Sequence, residues 1–294
     1  MHVVVLGDVM VELSCQVPYR FRDIAEDVLT YAPVTSVVGG TGANFAMAAT
    51  RWFDEVTLGG CVGKDVFGGF AIDQLEAAGV RCLLRRTAKV PTGLAMYQRD
   101  DSTEATNGVR HLVIASPSAN DAFTLDDVAR LRTTLESADL VVADGYAMRQ
   151  EERQLAVGTG LATAREAGST VALDVVPHDC FRHHKLSDLI RFAAPAGVVM
   201  IEARTLLAFS DERFPEVIDD AALGIAIETA MRLWPDKVVL LRFGLGNVDE
   251  VFKLVPTAEP VRYRTGYAIC AEPRGFGDRL AAQELSLLLR GQLG

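Results

Sequence analysis

Short apolar runs, each closed by a glycine or a polar residue, recur along the chain with stretches of helix-forming residues between them. Residues 2–6 (His-Val-Val-Val-Leu) are a β-branched run ending at Gly7, the pattern of a buried strand that feeds a turn. Ala43 to Ala49 is rich in helix formers, and Glu55-Val56-Thr57-Leu58 predicts a strand ending at Gly59-Gly60. From Gly69 to Ala78 the spacing places Phe70, Leu75 and Ala78 on a common side of a helix stopped by Gly79. The rhythm continues with a strand over 139–143, a helix over 150–167, a strand over 170–173, a helix near 186–194 and a strand over 198–201. A helix over 221–233, a strand over 237–241 and a helix over 278–289 complete it. Alternation at this spacing predicts an α/β protein with a mostly parallel sheet and helices on both faces, and ligands in such sheets sit at the carboxyl ends of the strands.

Two segments break the rhythm. Residues 11–37 and 91–117 lack helical periodicity and carry short β-like pieces such as Leu94-Ala95-Met96-Tyr97, so they are expected to form a small β-sheet acting as a lid or dimer surface. Residues 1–10, 38–90 and 118–294 are then the core domain. The 294 residues are ample for one large α/β unit or two modest ones. With 29 basic against 39 acidic residues, a net charge of −10 and no basic stripe, nucleic acid is not an expected partner. No apolar run approaches the ~20 residues of a membrane span, and no basic leader precedes the first strand, so neither a membrane nor a secretory signal is expected. Five scattered cysteines without a Cys-x-x-Cys pair read as reduced thiols of a cytoplasmic protein.

Two motifs carry candidate chemistry. Gly39-Gly40-Thr41-Gly42-Ala43-Asn44 packs three glycines and an Asn at a helix entry; it suits gripping a polyhydroxylated ligand as well as a tight turn with an Asn cap. Arg274-Gly275-Phe276-Gly277-Asp278 opens an apolar helix: its backbone N–H groups can form an anion nest beside a carboxylate able to accept a proton, although Asp278 as a plain N-cap is the simpler alternative. Asp144 ends a predicted strand and is placed either to touch substrate or to hold a turn. Asp100-Asp101 with Glu104 are expected at a solvated lid tip, the His178–His184 cluster in a polar loop, and Trp52 and Trp234 in helix packing.

The two motifs in this order resemble the signatures of the ribokinase-like (PfkB-type) carbohydrate and nucleoside kinase family. Val62-Gly63-Lys64-Asp65, Phe67-Gly68, Leu75 to Val80, Thr92-Gly93, Ser118-Ala119-Asn120 and Asp174 with Pro177-His178 resemble further family positions, so the likeness spans nearly the whole chain. The resemblance implies a Rossmann-like core with a β-sheet lid, and transfer of the γ-phosphate of ATP, with Mg²⁺, to a hydroxyl of a sugar, nucleoside or related polyol. It implies Asp278 as the base and the backbone N–H groups of Gly275, Phe276 and Gly277 as the anion hole. Gly39, Gly40, Thr41 and Asn44 hold the sugar-like end, and a homodimer through the lid is expected.

Several positions depart from the family pattern. Glu12 stands where the family has a substrate-binding Asp, with Asp8 nearby as a substitute. Glu202-Ala203-Arg204-Thr205 replaces Asn-x-x-Glu, which leaves Glu202 as the expected metal-side carboxylate. Arg242-Phe243-Gly244-Leu245-Gly246 stands at the glycine-rich nucleotide segment, so Arg242, Gly244 and Gly246 join Gly275 and Gly277 as expected nucleotide contacts. Glu272-Pro273 and Phe276 alter the second signature, and Arg274 adds a charge suited to phosphate. These departures favour two alternatives: a catalytically weak relative that binds a sugar-like or nucleotide ligand, or a biosynthetic enzyme using another donor or reaction.

Overall fold

The computed structural model describes residues 1–24, 26–100, 110–176, 180–211, 218–245, 248–268 and 275–293. The chain runs β1 (His2–Leu6), β2 (Met10–Gln16), β3 (Val34–Gly39), α1 (Thr41–Ala49), β4 (Glu55–Gly63), α2 (Val66–Ala77), β5 (Arg81–Thr87), β6 (Gly93–Arg99) and β7 (Arg110–Ile114). It continues α3 (Leu125–Glu136), β8 (Leu140–Asp144), α4 (Glu151–Glu166), β9 (Thr170–Val175), α5 (Leu186–Phe192), β10 (Val198–Glu202), α6 (Ala203–Asp211) and α7 (Asp220–Leu233). A strand hairpin, β11 (Val238–Leu245), β12 (Val248–Leu254) and β13 (Val261–Ala268), leads to α8 (Phe276–Leu289).

Nine strands form the main sheet in the order β13-β12-β11-β10-β9-β8-β1-β4-β5. The seven from β11 to β5 pair in parallel, and β12 and β13 add an antiparallel edge. Period-two alternation splits the core between two layers. Val4, Leu6, Val141, Leu173 and Ile201 face α3–α7, whereas Val5, Val142, Met200 and Leu240 face α1, α2 and α8. A separate four-stranded sheet, β3-β2-β6-β7, is built from the two arrhythmic segments.

The expected α/β architecture is present, and its deviations have physical reasons. The strand expected to stop at Gly59-Gly60 runs on to Gly63 in β4, because these glycines are where other groups press on the strand. A Cβ at Gly59 would lie 2.6 Å from the Leu131 side chain, and one at Gly60 would lie 2.7 Å from the Gly7 carbonyl oxygen. The helix α2 begins three residues early because Asp65 caps it, accepting a hydrogen bond from the Gly68 N–H at 2.8 Å. Asp100, expected to be solvated, is buried, pairs with Arg20 at 3.2 Å and accepts the Phe21 N–H; it ties the long β2–β3 connection to the end of β6. Asp101, Glu104, Pro177, His178 and Cys270 lie outside the described residues, and Trp234 is buried as expected.

Candidate active site

Parallel pairing brings the strand ends to one edge. β1 passes into Gly7-Asp8, β8 ends at Asp144, Asp174 of β9 is in register with Asp144, and Glu202 of β10 lies opposite Arg242 of β11. Four carboxylates distant in sequence therefore crowd the edge where this sheet type binds ligands. The first turn of α1 comes up against the same edge: a Cβ on Gly42 would lie 2.5 Å from the Gly7 Cα, so no side chain could stand between α1 and the β1 turn. Gly40 is the N-cap of α1, and the Asn44 N–H donates to its carbonyl oxygen at 2.8 Å.

Asp278 sits in the first turn of α8. Gly275 before it holds φ 60°, a left-handed conformation that favours glycine, and its Cα faces the Asn44 side chain. Among the described residues a Cβ on Gly277 would meet nothing within 4 Å, and a helix start of this kind can receive an anion on its backbone N–H groups. The two sequence motifs thus meet: Asn44 hydrogen-bonds the Asp278 carboxylate. Burial pushes the Asp278 carboxyl up to about 7; the Asp174 charge adds to this, the Asn44 hydrogen bond and Arg242 oppose it, and Asp8 raises it further. Asp144 is also pushed well above the usual carboxylate range, by burial and then by the Asp8 charge, against the pull of Arg153 and the hydrogen bond from the Tyr146 N–H.

Two buried arginines face these carboxylates. The Arg242 guanidinium binds Glu284 Oε2 through Nε and Nη2, both at 3.1 Å, and Asp174 through Nη1 at 3.2 and 3.4 Å. Its Nη2 also lies 3.3 Å from the Met200 sulfur. Arg242, expected to contact nucleotide, is turned toward α8 by the alternation along β11, where Glu284 holds it. Arg153, on α4, reaches the edge from the other layer, with Nη2 3.7 Å from Asp8 Oδ1 and Nη1 3.5 Å from the Tyr146 carbonyl oxygen. Beside it, Asn120 clamps the Val9 backbone through both ends of its amide, at 2.9 and 3.1 Å.

Of the other expected residues, Glu12 lies on β2 with its carboxylate near Gly39, 3.6 Å from where a Cβ there would stand. Thr41 opens α1. Gly244 is in β11 opposite Asp249, in the antiparallel part of the sheet. Gly246, Glu272, Pro273 and Arg274 lie outside the described residues. Sequence reading missed Arg153 and Glu284, and one signal was available for both: each puts a charge on the buried stripe of its helix. Arg153 continues the row Ala156, Val157, Gly160 and Leu161, and Glu284 sits among Leu280, Ala281 and Leu285. For Mg²⁺ the protein offers no closed cage: among the described residues no group of three or more His, Cys, Asp or Glu side chains could hold a metal ion, and Glu202 is a single carboxylate at a strand end.

Comparison with known proteins agrees with this geometry. Solved structures similar to the whole chain include adenosine kinase from Sinorhizobium meliloti, with a TM-score of 0.78 at 16% identity, covering 99% of this chain and 88% of that one. Fructokinase from Xylella fastidiosa matches with a TM-score of 0.73 at 18% identity over 99% of this chain and 82% of that one. Ribokinase from Giardia lamblia matches with a TM-score of 0.74 at 19% identity over 98% and 83%. The fold is therefore ribokinase-like. No curated protein sequence matches the chain. The sequence pattern described as pfkB family carbohydrate kinase matches residues 1–212, which contain the first motif, the small sheet and the strand ends from β1 to β10. The chain belongs to the pfkB family of carbohydrate kinases.

Proposed function

We propose that the protein transfers the γ-phosphoryl group of ATP to a hydroxyl of a sugar, nucleoside or related polyol, with Asp278 as general base. The observation that carries this reading is the pairing, in one helical turn, of the backbone of the helix start at Phe276–Gly277 with a carboxyl held at about 7. A base poised near neutral pH keeps both its fraction ionised and its driving force for proton transfer high. In the reaction the substrate hydroxyl lies against Asp278. As its oxygen bonds to the γ-phosphorus the proton passes to an Asp278 oxygen, and the bond to the β-phosphate oxygen breaks to release ADP. The N–H groups of Phe276 and Gly277, with the positive end of the α8 dipole, stabilise the charge on the phosphoryl oxygens. Asn44 orients the carboxylate, and Gly39, Gly40, Thr41, Glu12, Asp8 and Asp144 form the polyol side of the cleft.

In the same reading residues 11–37 and 91–117 act as a lid, and the exposed Val34, Met96 and Val113, which share one face of the small sheet, pair two protomers. A monomeric mass by light scattering at micromolar concentration would remove the dimer. Free Cys15, Cys61, Cys82 and Cys180 fit a reducing cytosol, and among the described residues no helix is long and apolar enough to cross a membrane. The test of the reaction is ADP release from Mg²⁺-ATP across a panel of sugars, nucleosides and polyols, with Asp278→Asn beside the wild type. Turnover on one class, reduced by about 10²–10⁴ in the variant, is expected. Silence across the panel, with a panel member still raising the Tm, would favour the ligand-binding alternative.

A further inference from the structure

The Arg242 and Arg153 clusters bring the same groups together and end differently. Arg242 is closed by hydrogen bonds at 3.1–3.4 Å, whereas Arg153 stops 3.7 Å from Asp8, beyond hydrogen-bond reach. Asp8 is only 4% exposed, and its Oδ1 has no hydrogen-bond partner. A buried carboxylate oxygen left in this state is costly, so it marks a place where a partner is missing. Both groups line a narrow pocket, together with Met10, Tyr146, Asp121 and Arg149, with a volume of about 20 Å³. One water-sized group needs about 10–15 Å³ on this measure. That room matches one oxygen and its hydrogen.

We propose that this pocket is a subsite for a single hydroxyl of a neutral polyol, which donates to Asp8 Oδ1 and accepts from Arg153, and that Arg153 thereby selects neutral substrates over acidic ones. The choice of group follows from what the walls require. A hydroxyl donates and accepts at once, which is what a carboxylate facing a guanidinium across a gap needs. A carboxylate or phosphate would accept from Arg153 but would press a second negative charge against Asp8, while on the rest of the wall Asp121 and Arg149 offset one another. An ammonium would meet Arg153, and an amide is too large for the space. The subsite also belongs to the cleft: Asp8 is near enough to the other strand-end groups for its charge to raise both Asp144 and Asp278. It therefore reads a hydroxyl of the molecule whose other hydroxyl faces the base. The role in catalysis rests on the kinase reading above; the hydroxyl recognition does not.

The test is a binding series on the full chain carrying Asp278→Asn, by calorimetry, so that no turnover is required. The probes are D-ribose, D-fructose, D-glucose and adenosine, the monodeoxy analogues of whichever binds, and gluconate as the acid. One monodeoxy analogue is expected to bind about 10–100-fold more weakly than its parent, the loss that follows when buried polar groups lose their partner. Adding Arg153→Met or Asp8→Asn should weaken the parent by a similar factor and leave that analogue unchanged, while Arg153→Lys restores part of the loss. Circular dichroism identifies any variant that fails to fold, and the deoxy series on the Asp278→Asn chain needs neither pocket variant. Equal binding of every deoxy analogue would mean that the pocket holds an ordered water, and gluconate binding as tightly as glucose would make Arg153 an anion site; either result overturns the proposal. ADP release with a flat deoxy series defeats the subsite and leaves the kinase reading standing. A selective deoxy series without ADP release does the reverse, and failure of every probe to bind defeats both.

Discussion

Arg242 and Arg153 are each about 5% exposed, each stands within reach of a carboxylate at the strand ends, and they approach from opposite layers of the sheet. Arg242 ties together β9, β11 and α8, three elements whose relative placement fixes where Asp278 points. Arg153 ties nothing at hydrogen-bond distance except, at 3.5 Å, the Tyr146 carbonyl. The physical lesson is that burial of a charge does not reveal its use. A guanidinium whose donors are matched by carboxylates is part of the scaffold, and one left a fraction of an ångström short, beside an orphaned oxygen, is set for a ligand.

Breaking the closed cluster has the largest expected effect on stability. Arg242→Met leaves Asp174 and Glu284 buried close to Asp278, and removing one partner of a buried pair costs about 3–5 kcal/mol. Urea unfolding is expected to show a loss of that size. Replacing all three groups (Asp174→Asn, Arg242→Met, Glu284→Leu) should recover most of it, since a neutral packed cluster needs no compensation. The single variant has a second signature: Arg242 holds the Asp278 pKa down, so the acid limb of the pH–rate profile should move upward from near 7. A loss under about 1 kcal/mol would mean that Arg242 is not structural.

The same cluster shows what could be read from the chain. The apolar runs announced β1, β8, β9 and β10 to within two residues, because buried parallel strands leave little room for polar side chains. The helix α3 was missed: its buried Val128, Leu131 and Leu135 are preceded by Asp126 and Asp127 and separated by arginines and threonines, and its start depends on the Thr124–Asp127 capping box. The edge strands β12 and β13 mix charged and apolar residues and were missed too. Both motifs of the candidate site stand out in the sequence because a glycine-rich turn and its polar side chain are adjacent. The arginine partners were not: Arg242 meets Glu284 and Asp174 across 42 and 68 residues, and no local pattern says which side of β11 it faces.

Asp278 stands between the two clusters, and its titration gives the next effect in size. Its folded-state pKa, about 7, lies above the ordinary 3.8, so the folded chain keeps a proton that the unfolded chain releases. Between those values folding stability falls as pH rises. Asp278→Asn, uncharged throughout, should therefore melt higher than the wild type at pH 8, by about 2–4 °C for each kcal/mol relieved. The advantage should fade as pH falls from about 7 and vanish near pH 4. An equal difference at both ends of the range would show that Asp278 ionises without strain in the folded protein.

Arg153→Met is the counterpart of Arg242→Met and is expected to cost less stability. At 3.7 Å from Asp8 the pair gains Coulomb energy but no hydrogen bond, and removing Arg153 leaves Asp8 buried without its counter-charge. Asp144, already pushed upward by burial and by Asp8, is only pushed further in the same direction when Arg153 leaves. With no hydrogen bond lost between the two groups, the net loss in urea unfolding should be smaller than that of Arg242→Met, while discrimination between a polyol and its deoxy analogue disappears. A smaller loss of stability together with lost selectivity is the combination that a scaffold arginine does not produce. A loss as large as that of Arg242→Met would show that the gap closes in solution, which would make Arg153 a second structural tie and not a reader of substrate.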